Sequence, residues 1–285
     1  MAKRDLYEEV TQSIIALLES GLKPWQRSWT SSSTIAGVPT NLSTHASYKG
    51  INTLILWAQQ AHMSYSTDYW LTYKQAQALG GQVRKGEKST TCVFFKPVAK
   101  EDKKTGEKSS YAMIKPFNVF NLDQIDGIEA PAPFYGPLYK TPLLQHVEQL
   151  GAQVDHGGDQ ACFIPSVDRI KMPQNSDFSS ITHYDSILAH EVTHWTGHKS
   201  RLDRDLNNRF GSSAYAVEEL IAEMGSAFIS AHFGIEALHE HNATYLQSWL
   251  NVLKDDKRAI FAITSQARQA CEFVIAEPQQ KEVAA

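Results

Sequence analysis

The 285-residue chain has only three cysteines. Cys92, Cys162 and Cys271 are odd in number, far apart and in no C-x-x-C pair. That excludes a disulfide framework and a cysteine-rich zinc module, and they read as reduced, mostly buried thiols. No apolar run approaches the roughly 18 residues that a membrane span needs. Residues 1–20 are charged throughout and show no apolar core of a secretion signal, and a cytoplasmic location is the expectation. Charge of one sign is also missing: 27 basic residues stand against 31 acidic ones, a net charge of −4. There is no internal repeat and no low-complexity tract.

What is present is the composition of a globular protein, 42% hydrophobic and 20% charged. The length suits one large or two ordinary domains. Residues 1–135 hold 15 basic and 12 acidic residues, and the remainder holds 12 and 19. A mildly basic front and an acidic back point to two units with different partners.

The periodicity predicts an α+β protein. Helices are expected over 4–20, 51–63 and 68–79, the last stopped by Gly80-Gly81. Residues 24–48 read as an irregular arm. Strands over 91–97 and 111–120, around a charged stretch with Thr105-Gly106, form a long hairpin. Residues 131–137, rich in proline, read as a linker between an α+β domain over 1–130 and a mainly helical domain over 138–285. In the second domain a helix covers 141–151. The segments 161–164 and 169–172 form a small sheet, and long helical patterns run over 180–197, 213–232 and 242–275.

The chemistry concentrates in His190-Glu191-Val192-Thr193-His194. Residues four apart on a helix share a face and lie about 6 Å apart along the axis. Two such imidazoles can converge on one zinc ion at roughly 2.0–2.1 Å each. Glu191 then stands beside the water that the metal activates, placed to act as general base.

A third ligand is needed. Gly197 fits the H-E-x-x-H-x-x-G-x-x-H arrangement, but position 200 is Ser200. His198 would lie about 12 Å along the axis from His190 if the helix ran on, too far to share one ion. A glutamate from the following helix is the other route. Glu219 and Glu223 share a face there, and Glu218 is turned roughly 100° away. The reading assigns Glu219 as ligand and Glu223 as the residue that orients a histidine, with the reverse assignment open; Glu218 reads as a solvated surface charge. Tyr184, Tyr215 and His198 are the possible donors to a transition-state oxyanion, and the sequence does not choose among them.

These residues carry a resemblance. His190-Glu-x-x-His194-Trp-Thr-Gly-His198, Arg201-Leu202 and Glu218-Glu219-Leu-x-Ala-Glu223 resemble the metallopeptidase domain of the ArdC antirestriction proteins of conjugative plasmids. Pro24-Trp25, Asn41, Tyr48-Lys-Gly-Ile-Asn52, Trp70-Leu-Thr-Tyr-Lys74 and Gly80-Gly-x-Val-Arg84-Lys-Gly86-Glu-Lys88 resemble that family's N-terminal domain, shared with TraC-type plasmid primases. The resemblance implies a front domain that binds single-stranded DNA and a gluzincin-like back domain. It also implies that the protein shields incoming plasmid DNA from host restriction. The ion is expected to be Zn2+, one per chain, or another divalent metal such as Mn2+. A protein substrate, such as a host restriction component, would be the second partner.

The front half has material for single strands, which need aromatic faces for bases and cations for the backbone. Lys23, Trp25, Arg27 and Trp29 fall within seven residues. Tyr48, Lys49, Trp70, Lys74, Arg84, Lys85 and Lys88 follow. A pI near 6.3 does not suit the alternative antirestriction mechanism, imitation of DNA by a strongly acidic surface. Two other functions use the same residues: a single-strand coat with a merely structural metal, and a repair protease acting on DNA-bound proteins.

Overall fold

Asp5 opens the first helix, α1 (Leu6–Glu19), by accepting the N–H groups of Tyr7 and Glu8 on its carboxylate. Leu6, Val10, Ile14 and Leu18 then fall on one buried face. The computed structural model describes residues 5–25, 37–101, 108–131, 142–206, 212–236 and 243–276.

After α1 come β1 (Thr40–Asn41), α2 (Ile51–Met63), β2 (Tyr69–Leu71), α3 (Tyr73–Ala78), β3 (Gln82–Val83), β4 (Thr90–Glu101), β5 (Lys108–Asn121) and β6 (Ile125–Asp126). A four-stranded sheet has the order β1-β2-β5-β4, and β3 pairs with β6. The expected hairpin is β4–β5, antiparallel from Thr90 opposite Val119 to Glu101 opposite Lys108. The helix expected over 68–79 is a strand and a short helix. Trp70 and Leu71 are both buried in the sheet, and Thr72 starts α3 through a capping box with Gln75.

The back half runs α4 (Leu143–Gln149), β7 (Val154–His156), β8 (Cys162–Ile164), β9 (Arg169–Met172), α5 (Ile181–Thr196), α6 (Ser213–Phe233), α7 (Ala243–Asp255) and α8 (Ala259–Ile275). Its sheet has the order β7-β9-β8, with β7 parallel and β8 antiparallel to β9. The pattern over 242–275 is two helices. Asp256 breaks it: its carboxylate accepts Arg258 N–H at 2.8 Å and its carbonyl accepts Ala259 N–H at 2.9 Å.

The main core joins the two halves. Leu6, Ile14, Leu18, Trp25, Leu54 and Trp57 pack in one cluster with Leu188, Val192, Leu220, Trp249 and Ile260. Salt bridges Lys254–Glu19 (2.6 Å) and Lys257–Asp5 (2.7 Å) tie the loop end of α7 to α1. The front half keeps two small clusters of its own, around Leu71 and around Trp70. The expected linker lies almost wholly outside the described residues, and the core itself does not divide there.

Candidate metal centre

Ser180 starts α5 by accepting His183 N–H, and no breaker interrupts the helix before Gly197. His190 and His194 therefore point the same way, with their Nε2 atoms 3.2 Å apart. Across from them, α6 presents Glu219. Its carboxylate lies 3.8 Å from His190 Nε2 and 3.5 Å from His194 Nε2. Four ligands at about 2.05 Å around a tetrahedral ion would be roughly 3.3–3.4 Å from each other. The three separations, the last two being to different oxygens of Glu219, lie near that value, so these donors can converge on a divalent cation. They are the one such group of His, Cys, Asp or Glu among the described residues.

Glu191 is buried beside them, and its Oε2 accepts Phe163 N–H from the edge strand β8 at 2.8 Å. Burial pushes its carboxyl above the ordinary carboxylate range, against the opposing pull of His194 and of the Phe163 N–H. The histidines, Glu191, Glu219, Glu218, Tyr215, Cys162 and Phe163 border one cavity of about 360 Å3. Burial and Glu191 hold the Cys162 thiol protonated. Burial disfavours the His194 imidazolium, but Glu218, Glu191 and Glu219 outweigh it and hold its pKa up to about 9.

Glu218 corrects the sequence reading. It is buried, not solvated, and Oε1 accepts a hydrogen bond from His194 Nδ1 at 3.0 Å. Arg204 clamps its carboxylate at 2.9 and 3.0 Å. The same guanidinium donates to the Thr193 carbonyl and to Thr196 Oγ1, at the C-terminal end of α5. An ionised Glu218 fixes the proton on Nδ1 and leaves the Nε2 lone pair for the metal. That is the role the sequence reading gave to Glu223. Glu223 is buried five residues on from Glu218, and its Oε2 has no hydrogen-bond partner among the described residues. The periodicity placed Glu218 off the Glu219 face correctly, but it could not show that the loop carrying Arg204 covers that second face.

Of the three possible oxyanion donors, only Tyr215 borders the cavity, within hydrogen-bond reach of Glu219. Tyr184 is buried against His156 at 2.8 Å. His198 pairs with Ser200 at 2.8 Å.

The front-half residues separate. Trp25 and Trp70 are 1% and 0% exposed, packed against Trp249 and Tyr65, so neither offers a face to a base. Lys23 lies over the Trp249 ring. Lys49 is paired with Glu272 at 2.9 Å, and Arg84 with Glu87 and Asp126. Lys74, Lys85 and Lys88 are exposed. Tyr48 is half-buried and stacks on Phe117. Arg27 and Trp29 lie outside the described residues.

A His-Glu-x-x-His helix, a glutamate on the next helix and an edge strand above them define a zincin-like metallopeptidase domain. The pattern of that family matches residues 143–266, and that of the N-terminal domain of anti-restriction factor ArdC matches 4–120. The chain belongs to the ArdC family. It is 41% identical to the antirestriction ArdC protein from plasmid R388 in its metal-free crystal structure. The match has a TM-score of 0.82 and covers 95% of this chain and 97% of that one. The Mn(II)-bound structure of that protein gives 40% and 0.79. Over 292 residues the chain is 37% identical to the Sinorhizobium fredii protein y4eC, covering 96% of one and 92% of the other. It is also 35% identical to the Escherichia coli DNA primase TraC, but spans only 28% of that protein.

Proposed function

We propose that the protein binds single-stranded DNA entering the cytoplasm, protects it from restriction, and carries a zinc-dependent peptidase centre in the same body. The observation that carries the peptidase reading is the donor triangle of His190, His194 and Glu219 with Glu191 beside it. Zinc, or a similar cation such as Mn2+, would supply water of lowered pKa and polarise a peptide carbonyl. Glu191 is placed to take the proton of the attacking water and pass it to the leaving amine. Tyr215 is placed to donate to the developing oxyanion. Glu218 and Arg204 keep His194 in the productive tautomer. A structural zinc takes four protein ligands, whereas the donor group here has three among the described residues and a base beside it. The single-strand reading rests on the ArdC N-terminal domain and on the likeness to TraC.

Protection is assigned to coating of the strand, since a coat can block conversion to cleavable duplex without destroying each restriction complex. Glu191→Gln tests both parts. It should lower hydrolysis of an unfolded protein substrate by about 10²–10⁴. Metal content, DNA binding and restriction protection should stay at wild-type levels. Loss of protection with DNA binding intact would make proteolysis the protective act, and undiminished hydrolysis would remove Glu191 from the base role.

A further inference from the structure

Trp25 and Trp70 are in the core, so among the described residues an aromatic face for a base comes from elsewhere. Along β4, side chains alternate between two faces. Val93 and Phe95 turn toward the back half: Val93 is in the main core and Phe95 meets Phe261 of α8 edge-on. Phe94 is on the opposite face and is 45% exposed. Directly across the ladder from it is Lys115; Cys92 stands opposite Phe117, one step toward the sheet interior. Phe94 and Phe117 rings are 6.3 Å apart, and Phe117 is stacked on Tyr48 at 6.5 Å with 13° between planes. Lys96 continues the same face of β4 and is exposed. Neither Lys96 nor Lys115 has an acidic partner within 4 Å among the described residues, unlike Lys49 and Arg84.

From this we infer that the strip Tyr48–Phe117–Phe94, with Lys96 and Lys115, is the track on which single-stranded nucleic acid lies. Three neighbouring rings, Phe94 exposed and Phe117 and Tyr48 half-buried behind it, with two ammonium groups beside them that have no acidic partner among the described residues, suit bases on a charged backbone. Duplex, with its bases already stacked on each other, offers the rings no free face. The inference rests on the single-strand reading above and locates it.

The test is fluorescence anisotropy of the full-length protein with a labelled oligothymidylate, at several salt concentrations. Phe94→Ala should weaken binding by roughly tenfold or more, the range found for loss of one base–aromatic stack. Lys96→Ala with Lys115→Ala should lower the salt slope by about 0.7 for each phosphate that is no longer neutralised. All three side chains are at the surface of the hairpin, and unchanged melting temperatures would show that the variants fold. Lys74→Ala with Lys85→Ala, on the α3–β3 side, should bind nearly as wild type. If wild type binds and the Phe94 and lysine variants bind equally well, the track is wrong while the single-strand reading stands. Strong loss in the Lys74/Lys85 variant alone has the same meaning and moves the site to α3. If wild type does not bind the oligonucleotide, the single-strand reading fails and the track with it.

Discussion

Glu218 and Glu219 are adjacent in the chain and face different neighbours. Glu219 completes a donor triangle with His190 and His194, while Glu218 sits behind His194 with Arg204 behind it in turn. Glu218→Gln should lower zinc affinity by about 10–100-fold, the usual effect of losing a carboxylate that orients a ligating histidine. Competition against a chromogenic chelator measures this, and Glu223→Gln should leave the affinity unchanged. Equal affinities for the Glu218 variant and wild type would return the orienting role to another group. His190, Glu191 and His194 were legible in the sequence because one helical period brings them together, and Glu219 because a metal site needs a further donor and the next helix offers an acid. Glu218 was not, because its burial depends on a loop from elsewhere in the chain. Trp25 and Trp70 misled for a related reason: an aromatic beside a cation reads the same whether its ring faces solvent or a core.

Among the elements, the crossing of α5 and α6 sets the centre's dimensions. A glycine inside a helix ordinarily costs about 1 kcal/mol relative to alanine. At Gly225, however, an added Cβ would meet Thr193 Cγ2 at 2.5 Å and Oγ1 at 2.9 Å. Thr193 is fully buried and its hydroxyl is committed to the Ala189 carbonyl, so it has little room to yield. Overpacking a tight contact costs about 1–3 kcal/mol and the alanine returns about 1 kcal/mol, so Gly225→Ala should destabilise the fold by up to about 2 kcal/mol. A shift of the urea midpoint to lower concentration checks it, and a shift to higher concentration would show that the helices can part. The helices with strong apolar period were legible, α2 to the residue. The errors were local: Thr72 starts a helix where the period alone runs on, and Asp256 ends one in the same way. In both cases local side-chain hydrogen bonds to the backbone, a capping box at Thr72 and the Asp256 carboxylate on Arg258 N–H, outweigh a continuous pattern.

Among the described residues one main core spans both halves, with two small clusters in the front half, and the proposed DNA track and the metal centre both lie on that frame. The division into a basic front and an acidic back is real in charge and in family descent, yet α1 and Trp25 are structural parts of the back half. Sequence patterns show which faces are apolar but not which apolar faces meet across more than two hundred residues, so the shared core was not legible. The proposed hydrolysis depends throughout on the three-donor centre. The most direct measurement is calorimetric titration of metal-depleted full-length protein with zinc, run on wild type, Glu191→Gln and Glu219→Ala. Wild type and Glu191→Gln should bind one ion per chain with similar affinity, and Glu219→Ala, which removes a ligand itself, should lose more than the roughly 10–100-fold that loss of an orienting partner costs. Wild-type binding by Glu219→Ala, or no stoichiometric binding by the wild-type chain, would contradict it.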